Sequence, residues 1–423
     1  MRKFLFLLLV AGLFFGLLNQ SSAEEIAKEP GGRKCDKKIQ EEKQIIEKSD
    51  KGLLSEIIKK FSFHGNLVGY YQDASKATIE GTPLKNSDGV GYVGNLEIFF
   101  QPMHNGELYL RVHSGEGNGA DRDMEQAGAF FADLNTLNDD NTGDGDFDLL
   151  ELYYTHRLFN DRLTFTIGKT EPVAFIDDNK FANCELGQFV GKPFVNDPVL
   201  DSENEFGPLV ALGFSFSDQF FLVALAQSSS RPLAESDKKK EVENDVFERP
   251  FFATQAVYSP VINGFEGNYR LYGWIQTYDH PELTGNKVDK GWGLGLSIDQ
   301  KVHEKVNLFG RFGYHDDKVY EVPWSWSVGT NIVGIIPTRN EDEVGFGVAG
   351  LIPNNDLPTD DLEYHFEAYY KIVLNKYFAL TVDLQSIANP LGNNRNDDVF
   401  AGMLKGVIFF KKKEKSCTYQ TDI

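Results

Sequence analysis

The sequence predicts an all-β fold: a 16-stranded antiparallel transmembrane β-barrel preceded by a short N-terminal amphipathic helix. Three observations lead there. The chain opens on an export leader, most of it carries hydrophobic alternation with a period of two, and long and short connections alternate along its length.

Residues 1–23 read as a signal peptide. Arg2 and Lys3 form the positive start, Phe4 to Leu18 is an apolar run, and Ser21-Ser22-Ala23 offers small residues for cleavage. The run is short for a bilayer-spanning helix. No Cys stands at the cleavage point to carry a lipid. The mature chain is therefore expected outside the cytoplasm. Residues 24–60 are polar and rich in Lys and Glu, and Leu53, Leu54, Ile57 and Ile58 follow helical spacing, which predicts the short helix.

From Phe61 to residue 410 the pattern is that of strands. Phe378, Leu380, Val382 and Leu384 share one face, and Ala379, Thr381, Asp383 and Gln385 the other. Tyr364, Phe366, Ala368, Tyr370 and Ile372 likewise oppose Glu363, His365, Glu367, Tyr369 and Lys371. The strands are expected at 61–72, 92–102, 106–114, 147–157, 162–170, 207–217, 219–228, 251–258, 268–278, 291–302, 305–314, 325–335, 343–350, 362–373, 377–387 and 399–410.

A secreted β-sandwich would show the same alternation, so connection length decides. Connections after odd-numbered strands are mostly long (73–91, 115–146, 171–206, 229–250), and those after even-numbered strands mostly short (103–105, 158–161, 218, 374–376). An up-and-down barrel in the outer membrane has short periplasmic turns, long outer loops and an even strand number. Closure also satisfies every backbone group in lipid, which an open sheet cannot do. Phe99-Phe100, Tyr153-Tyr154, Tyr369-Tyr370 and Phe409-Phe410 near strand ends suit aromatic girdles at the two interfaces. Sixteen strands enclose a water-filled lumen, where eight would be filled by side chains. Residues 411–423, with Lys411 to Lys413 and Lys415, form a solvated periplasmic tail.

Composition narrows the function. The 423 residues carry 42 Lys and Arg against 63 Asp and Glu, a formal charge of −21, so a basic nucleic-acid footprint is excluded. An aromatic share of 13% excludes a disordered acidic chain. The three cysteines, Cys35, Cys184 and Cys417, allow a single disulfide and show no metal-ligand spacing. Catalytic motifs are absent: no G-x-S-x-G occurs, His303-Glu304 lacks a second His, and Gly187 to Gly191-Lys192 is one residue short of a phosphate loop, with Pro193 following. The chain is expected not to be an enzyme and to require no cofactor.

Two constellations stand out. Alternation turns Arg111, Arg157, Arg311, Glu97, Glu151, Glu363, Glu367, His365 and Asp383 toward the lumen, where they either form a selectivity filter or pair with one another. Asp140, Thr142, Asp144, Gly145, Asp146, Asp148 and Glu151 approximate the spacing of an EF-hand loop. Such an arrangement is either a weak Ca²⁺ site in an outer loop or a solvated acidic loop, since Glu151 falls in a strand.

Three patches resemble the carbohydrate-selective porins of Gram-negative outer membranes, the OprB family. The first is Gly168-Lys169-Thr170-Glu171-Pro172 with Phe175, Asp177 and Asn179. The second is Phe181-Ala182-Asn183-Cys184-Glu185, Gln188-Phe189 and Phe194-Val195-Asn196-Asp197-Pro198. The third joins Glu367-Ala368-Tyr369-Tyr370, Leu380 to Gln385 and Asn389-Pro390. The likeness spans roughly residues 50–410. Val382 and Ser386 depart from it, standing where the family leads one to expect Pro and an aromatic, and the chain runs on past Phe410.

The resemblance implies a porin in the outer membrane that passes small sugars or similar polar solutes down their gradient, with homotrimer assembly left open. It also implies that connection 171–206 folds inward and narrows the pore. There Asn179, Asn183, Glu185, Gln188 and Asn196 would offer donors and acceptors to sugar hydroxyls, while Phe181 and Phe189 would stack on sugar rings or hold the loop to the wall. Arg111, Arg157, Arg311, Glu367 and Asp383 would complete the constriction, and their mixed signs suit a neutral solute. The alternatives are a general or ion-selective porin, and a non-conducting barrel that displays adhesive loops.

Overall fold

Sixteen strands pair edge to edge in chain order and close into a ring in the computed structural model. The structure describes residues 56–410 apart from 85–87, 118, 121–132, 138–144, 203–205, 229–248, 286 and 360. The signal peptide, the tail 411–423 and most of segment 24–60 lie outside the described residues; of that segment's predicted helix, residues 56–58 are seen and are helical.

The strands are β1 (Phe61–Ala74), β2 (Asp88–Met103), β3 (Gly106–Glu116), β4 (Asp148–Leu158), β5 (Leu163–Thr170), β6 (Gly207–Ser217), β7 (Phe220–Ser228) and β8 (Pro250–Tyr258). They continue as β9 (Phe265–Pro281), β10 (Val288–His303), β11 (Val306–His315), β12 (Trp324–Val333), β13 (Glu343–Ile352), β14 (Glu363–Asn375), β15 (Phe378–Ala388) and β16 (Val399–Phe409). Two-residue strands form a small hairpin in the first loop (Thr78–Ile79 with Thr82–Pro83), and another, Val261–Ile262, caps a turn. The last strand returns antiparallel to the first, with Asn66 opposite Phe409 and Ala74 opposite Ala401. Because β1 also pairs with β2, no edge remains. Each backbone group left unpaired in hydrocarbon would cost several kcal/mol, on the order of 4–8 for an amide.

Period-two alternation sorts the side chains. Leu271, Ile275, Leu294, Phe312, Val328, Phe346, Val382, Leu384, Phe400 and Leu404 face outward as a lipid-contacting band. Their neighbours Arg270, Tyr272, Trp274, Arg311, Ser327, Gly347, Asp383, Ala401 and Lys405 face the lumen. The aromatic pairs do not all sit in girdles. Tyr369 and Phe409 are buried inside the barrel, and Phe99 and Tyr153 stack on either side of Tyr109 on the inner wall, at centroid distances of 4.9 Å. Consecutive strand residues point to opposite faces, so two adjacent aromatics cannot both meet lipid.

Several strands exceed the length a membrane needs, among them β2 at 16 residues and the neighbouring pair β9 and β10. β9 and β10 run 17 and 16 residues, and the register slips between Gln276 and Asp279. They carry the sheet past the outer rim, so the connection expected over 279–290 shrinks to 282–287. On the other rim, where the turns are short, the longest connection is 334–342. Arg339 holds it by gripping the Asp342 carboxylate, which also accepts from Tyr370 (2.6 Å) and from the Val373 amide (3.0 Å). These donors, Arg339 first, hold the Asp342 carboxyl down at about 2.

A lowered carboxyl value stabilises the fold above the ordinary Asp range, about 3.9, and that contribution is lost as pH falls through about 2. Asp342→Asn should therefore lower the temperature at which the barrel unfolds in detergent at pH 5. The gap from the unmodified protein should close as pH falls toward 2. A gap of equal size at both pH values would show that Asp342 acts without its charge.

Candidate functional site

The 171–206 connection turns into the barrel immediately after β5. Pro172–Ala174 forms a 3₁₀ turn, and Phe175, Ile176 and Trp274 join an apolar cluster on the inner wall. Asp177 then adopts a left-handed backbone, φ 59°, a costly conformation that its surroundings impose. Gln255 of β8 accepts from the Asp177 amide at 2.9 Å and donates to the Phe175 carbonyl at 3.0 Å.

Arg311 of β11 is the main anchor. Its Nε donates to Asp177 Oδ1 at 2.8 Å, and the two side chains are 1% and 0% exposed. The same guanidinium donates to the carbonyls of Asp177 (3.2 Å), Phe194 (2.5 Å) and Val195 (3.1 Å), and to the Asn183 side chain. One cation therefore ties together three separate stretches of the loop. The planar fork of Arg suits this; the point charge of Lys does not.

Further anchors follow on β9 and along β12 to β16. The Asp197 amide donates to Asp177 Oδ2 (2.7 Å), and the Asp197 carboxylate accepts from Tyr272 (2.8 Å) and Ser325 (2.5 Å). Burial, with the Asp177 charge second, pushes the Asp197 carboxyl up to about 6. Glu367 of β14 accepts from the amides of Val190 (2.7 Å) and Gly191 (2.9 Å). A Cβ at 191 would lie 2.7 Å from that carboxylate, which would have to shift to accommodate it. Lys371 donates to the Gly187 carbonyl at 3.0 Å and to Glu343 at 2.6 Å, and Lys405 donates to the Glu185 carbonyl. Phe189 sits against Phe194, Phe309 and Tyr369, at 5.1, 5.2 and 5.0 Å between centroids. Gly347 on the wall leaves the notch that Phe194 fills, since a Cβ there would come within 2.6 Å of its ring.

The second long loop docks beside the first through its described residues 133–137. Thr136 donates its amide to the Val190 carbonyl (2.9 Å), and the Lys192 amide donates to the Asp133 carbonyl (3.0 Å). Gln385 of β15 donates to the Leu134 carbonyl at 2.9 Å. Cys184 is disulfide-bonded, and Cys35 and Cys417 both lie outside the described residues.

The structure divides the residues singled out from sequence. Asn179, Phe189, Arg311, Glu367 and Asp383 are buried. Four of these grip wall or loop: Asn179 donates to the Ile298 carbonyl at 3.0 Å, while Phe189, Arg311 and Glu367 act as above. Phe181, Asn183, Glu185, Gln188 and Asn196 are half-buried, and Phe181 packs against the cluster of Phe189 and Phe194. Gln188 accepts from the Cys184 amide and donates to the Lys180 carbonyl, both at 3.2 Å.

Arg157 needs correcting. It stands at the end of β4 beside the short turn, where its carbonyl accepts from Asn105 at 3.1 Å, far along the strand from the loop. Alternation sets which face a residue takes and says nothing of its height in the barrel. Arg111 pairs instead with Glu151 at 3.4 Å and lies 5.3 Å from the ring centre of Phe206, where the loop returns to the wall. Glu151 is thereby turned into the lumen, where it also accepts from Thr170 at 2.6 Å. Asp146 and Asp148 lead into β4, and Asp140, Thr142 and Asp144 of the candidate calcium loop lie outside the described residues. Among the described residues, no cluster of three or more His, Cys, Asp or Glu could hold a metal ion.

Sequence reasoning missed Gln255, Tyr272, Lys371 and Lys405 as anchors, and Arg270, which pairs with Asp178 of the loop at 3.1 Å. Their parity was visible, but which lumen-facing polar group meets a loop carbonyl is set by a loop path that no periodicity encodes.

A closed sixteen-stranded barrel with an apolar outer band and a loop folded across its lumen is an outer-membrane porin. Residues 90–410 match the family model described as the carbohydrate-selective porin OprB family, and the chain belongs to that family. It is a porin of the outer membrane that passes carbohydrates. The high-pH structure of Pseudomonas putida OprB is similar over 85% of this chain and 96% of its own, with a TM-score of 0.70 and 18% identity. The outer-membrane channel DcaP of Acinetobacter baumannii is similar over 82% and 96%, with a TM-score of 0.52 and 10% identity. An uncharacterised protein of Aquifex aeolicus (strain VF5) is 26% identical over 307 residues, which are 71% of this chain and 84% of that one.

Arg311→Ala should free the loop without opening the barrel. It leaves the Asp177 carboxylate buried and unpaired, which costs about 3–5 kcal/mol for a broken buried pair. Single-channel ion conductance should rise about twofold or more, with heat-modifiable migration on gels retained, and Arg311→Lys should give an intermediate rise. Unchanged conductance in Arg311→Ala would show that the remaining anchors hold the loop alone.

Proposed function

We propose that connection 171–206 is the constriction of a passive channel selecting small neutral sugars, with weak preference between cations and anions. One observation carries this reading: the buried charges of the wall at the height of the loop are engaged with the loop or with each other. Arg311 meets Asp177, Glu367 meets two amides, Lys371 meets Glu343 and a carbonyl, and Arg111 meets Glu151. No ring of like charge remains on these positions to filter ions by sign. The half-buried residues of the loop, namely the amides Asn183, Gln188 and Asn196, the ring of Phe181 and the single carboxylate Glu185, would offer donors, acceptors and apolar surface that suit the hydroxyl groups and C–H faces of a sugar ring.

Deletion of residues 180–188 removes Phe181, Asn183, Glu185 and Gln188 and leaves Asn196 and the Asp177, Glu367 and Asp197 contacts in place. Conductance should rise, and block of the ion current by hexoses should weaken in the same variant. Reversal potentials in a tenfold salt gradient should stay close to zero for the unmodified protein. A large reversal potential of either sign, with no sugar block, would replace this reading with an ion-selective pore.

A further inference from the structure

A second concave site lies beneath the loop, toward the rim of short turns. A cavity of about 490 Å³ opens there between turns 159–162 and 218–219, the inner wall of β6 to β9 and the underside of the loop at Phe175 and Asp178. Its size falls within the range of small-molecule sites, about 300–1,000 Å³. Short turns face the periplasm in this class of barrel, so a solute that has passed the loop meets this cavity before it leaves.

The lining combines a fixed polar frame with uncommitted groups. Arg270 donates to Asp299 at 2.5 Å and to Asp178 at 3.1 Å, and Asn268 donates to Asp299 at 2.7 Å while accepting from Ser259 at 2.8 Å. These bonds hold the guanidinium and the amide in place before any solute arrives. Ser215, Gln219 and Asn160 also line the cavity, and their side chains make no hydrogen bond among the described residues. The rings of Phe175 and Phe221 supply apolar surface. Two arginines face three aspartates in the lining, so an anion gains nothing there.

We propose that this vestibule is a second sugar subsite, holding a neutral hexose or disaccharide at the periplasmic exit. A hydroxyl and amides offering both donor and acceptor, beside carboxylate acceptors and aromatic faces, match adjacent hydroxyls on an apolar ring. A subsite after the constriction lets a sugar exchange one set of hydrogen bonds for another instead of returning directly to bulk water. That lowers the barrier to release from the loop. The inference rests on the sugar-channel reading above.

The test is block of single-channel ion current by glucose and sucrose added to the short-turn side of oriented channels, with gluconate as the anionic probe. The double variant Ser215→Ala with Gln219→Ala should need about tenfold more sugar for half block from that side, the loss of about two ordinary hydrogen bonds. Its open-channel conductance should stay within about a factor of two, and Gln219→Ala alone should give a smaller shift in the same direction. Unchanged block in both variants, with clear block of the unmodified protein, overturns the subsite and leaves the sugar channel standing. Gluconate blocking more strongly than glucose overturns the neutral ligand class. Absence of sugar block in the unmodified protein from either side overturns the channel reading itself.

Discussion

Every backbone N–H and C=O in the hydrocarbon layer needs a partner within the protein, and the rest of this structure follows from that requirement. The pairing of Phe61–Ala74 with Val399–Phe409 meets it by removing the last free edge. Closure fixes register all round the ring. Because the side-chain period is two, fixing register also fixes which residue of each pair meets lipid. Val382 and Leu384 face out and Asp383 faces in for the same reason that Phe312 faces out and Arg311 in.

Inside the barrel the same requirement acts on an irregular loop. The described residues of 171–206 have few repetitive backbone bonds of their own. Non-repetitive backbone is tolerated at membrane depth only where protein or a water-filled cavity satisfies it. The wall supplies the missing partners with charged side chains: Arg311, Lys371 and Lys405 for carbonyls, Glu367 for amides. Charge-assisted bonds are shorter and stronger than neutral ones, which suits a docking that must hold a fixed aperture. Charged lumen residues in a porin are readily taken for a filter. Here several are structural, and they hold the loop in place.

Much of this was legible beforehand, and the limits are physical. The sixteen strands and their inward and outward faces could be read because alternation is a local property of each segment, and the loop rhythm distinguished barrel from sandwich. Individual anchors could not be read. Arg157 and Arg311 have the same parity and chemistry, but Arg157 lies against a turn and Arg311 lies under the loop, a difference of height that depends on strand tilt around the whole ring. The aromatic pairs failed for a related reason: Tyr369 looked like half of a girdle, whereas it braces Phe189 and bonds to Glu343 at 2.5 Å. Asp177 and Asp197 lay within the family-like stretches, yet nothing local marks one carboxylate as a buried strut and another as solvated.

The division between anchors and lining bears on how selectivity in such a channel varies. An anchor is constrained from both sides, since a buried charge without its partner is costly and a partner without its charge leaves carbonyls unsatisfied. Asn183 is held more lightly: its side-chain oxygen accepts from Arg311 and its amide donates to the Asn179 carbonyl. Asn196 is freer still, bonded through its backbone to Lys192 and through no described side-chain contact. Substitution at Asn196 therefore breaks no described side-chain bond, whereas substitution at Arg311 removes bonds to three stretches of the loop. The wall's charged residues thus hold the loop at several points, while polar residues such as Asn196 are carried by the loop without a described wall contact of their own.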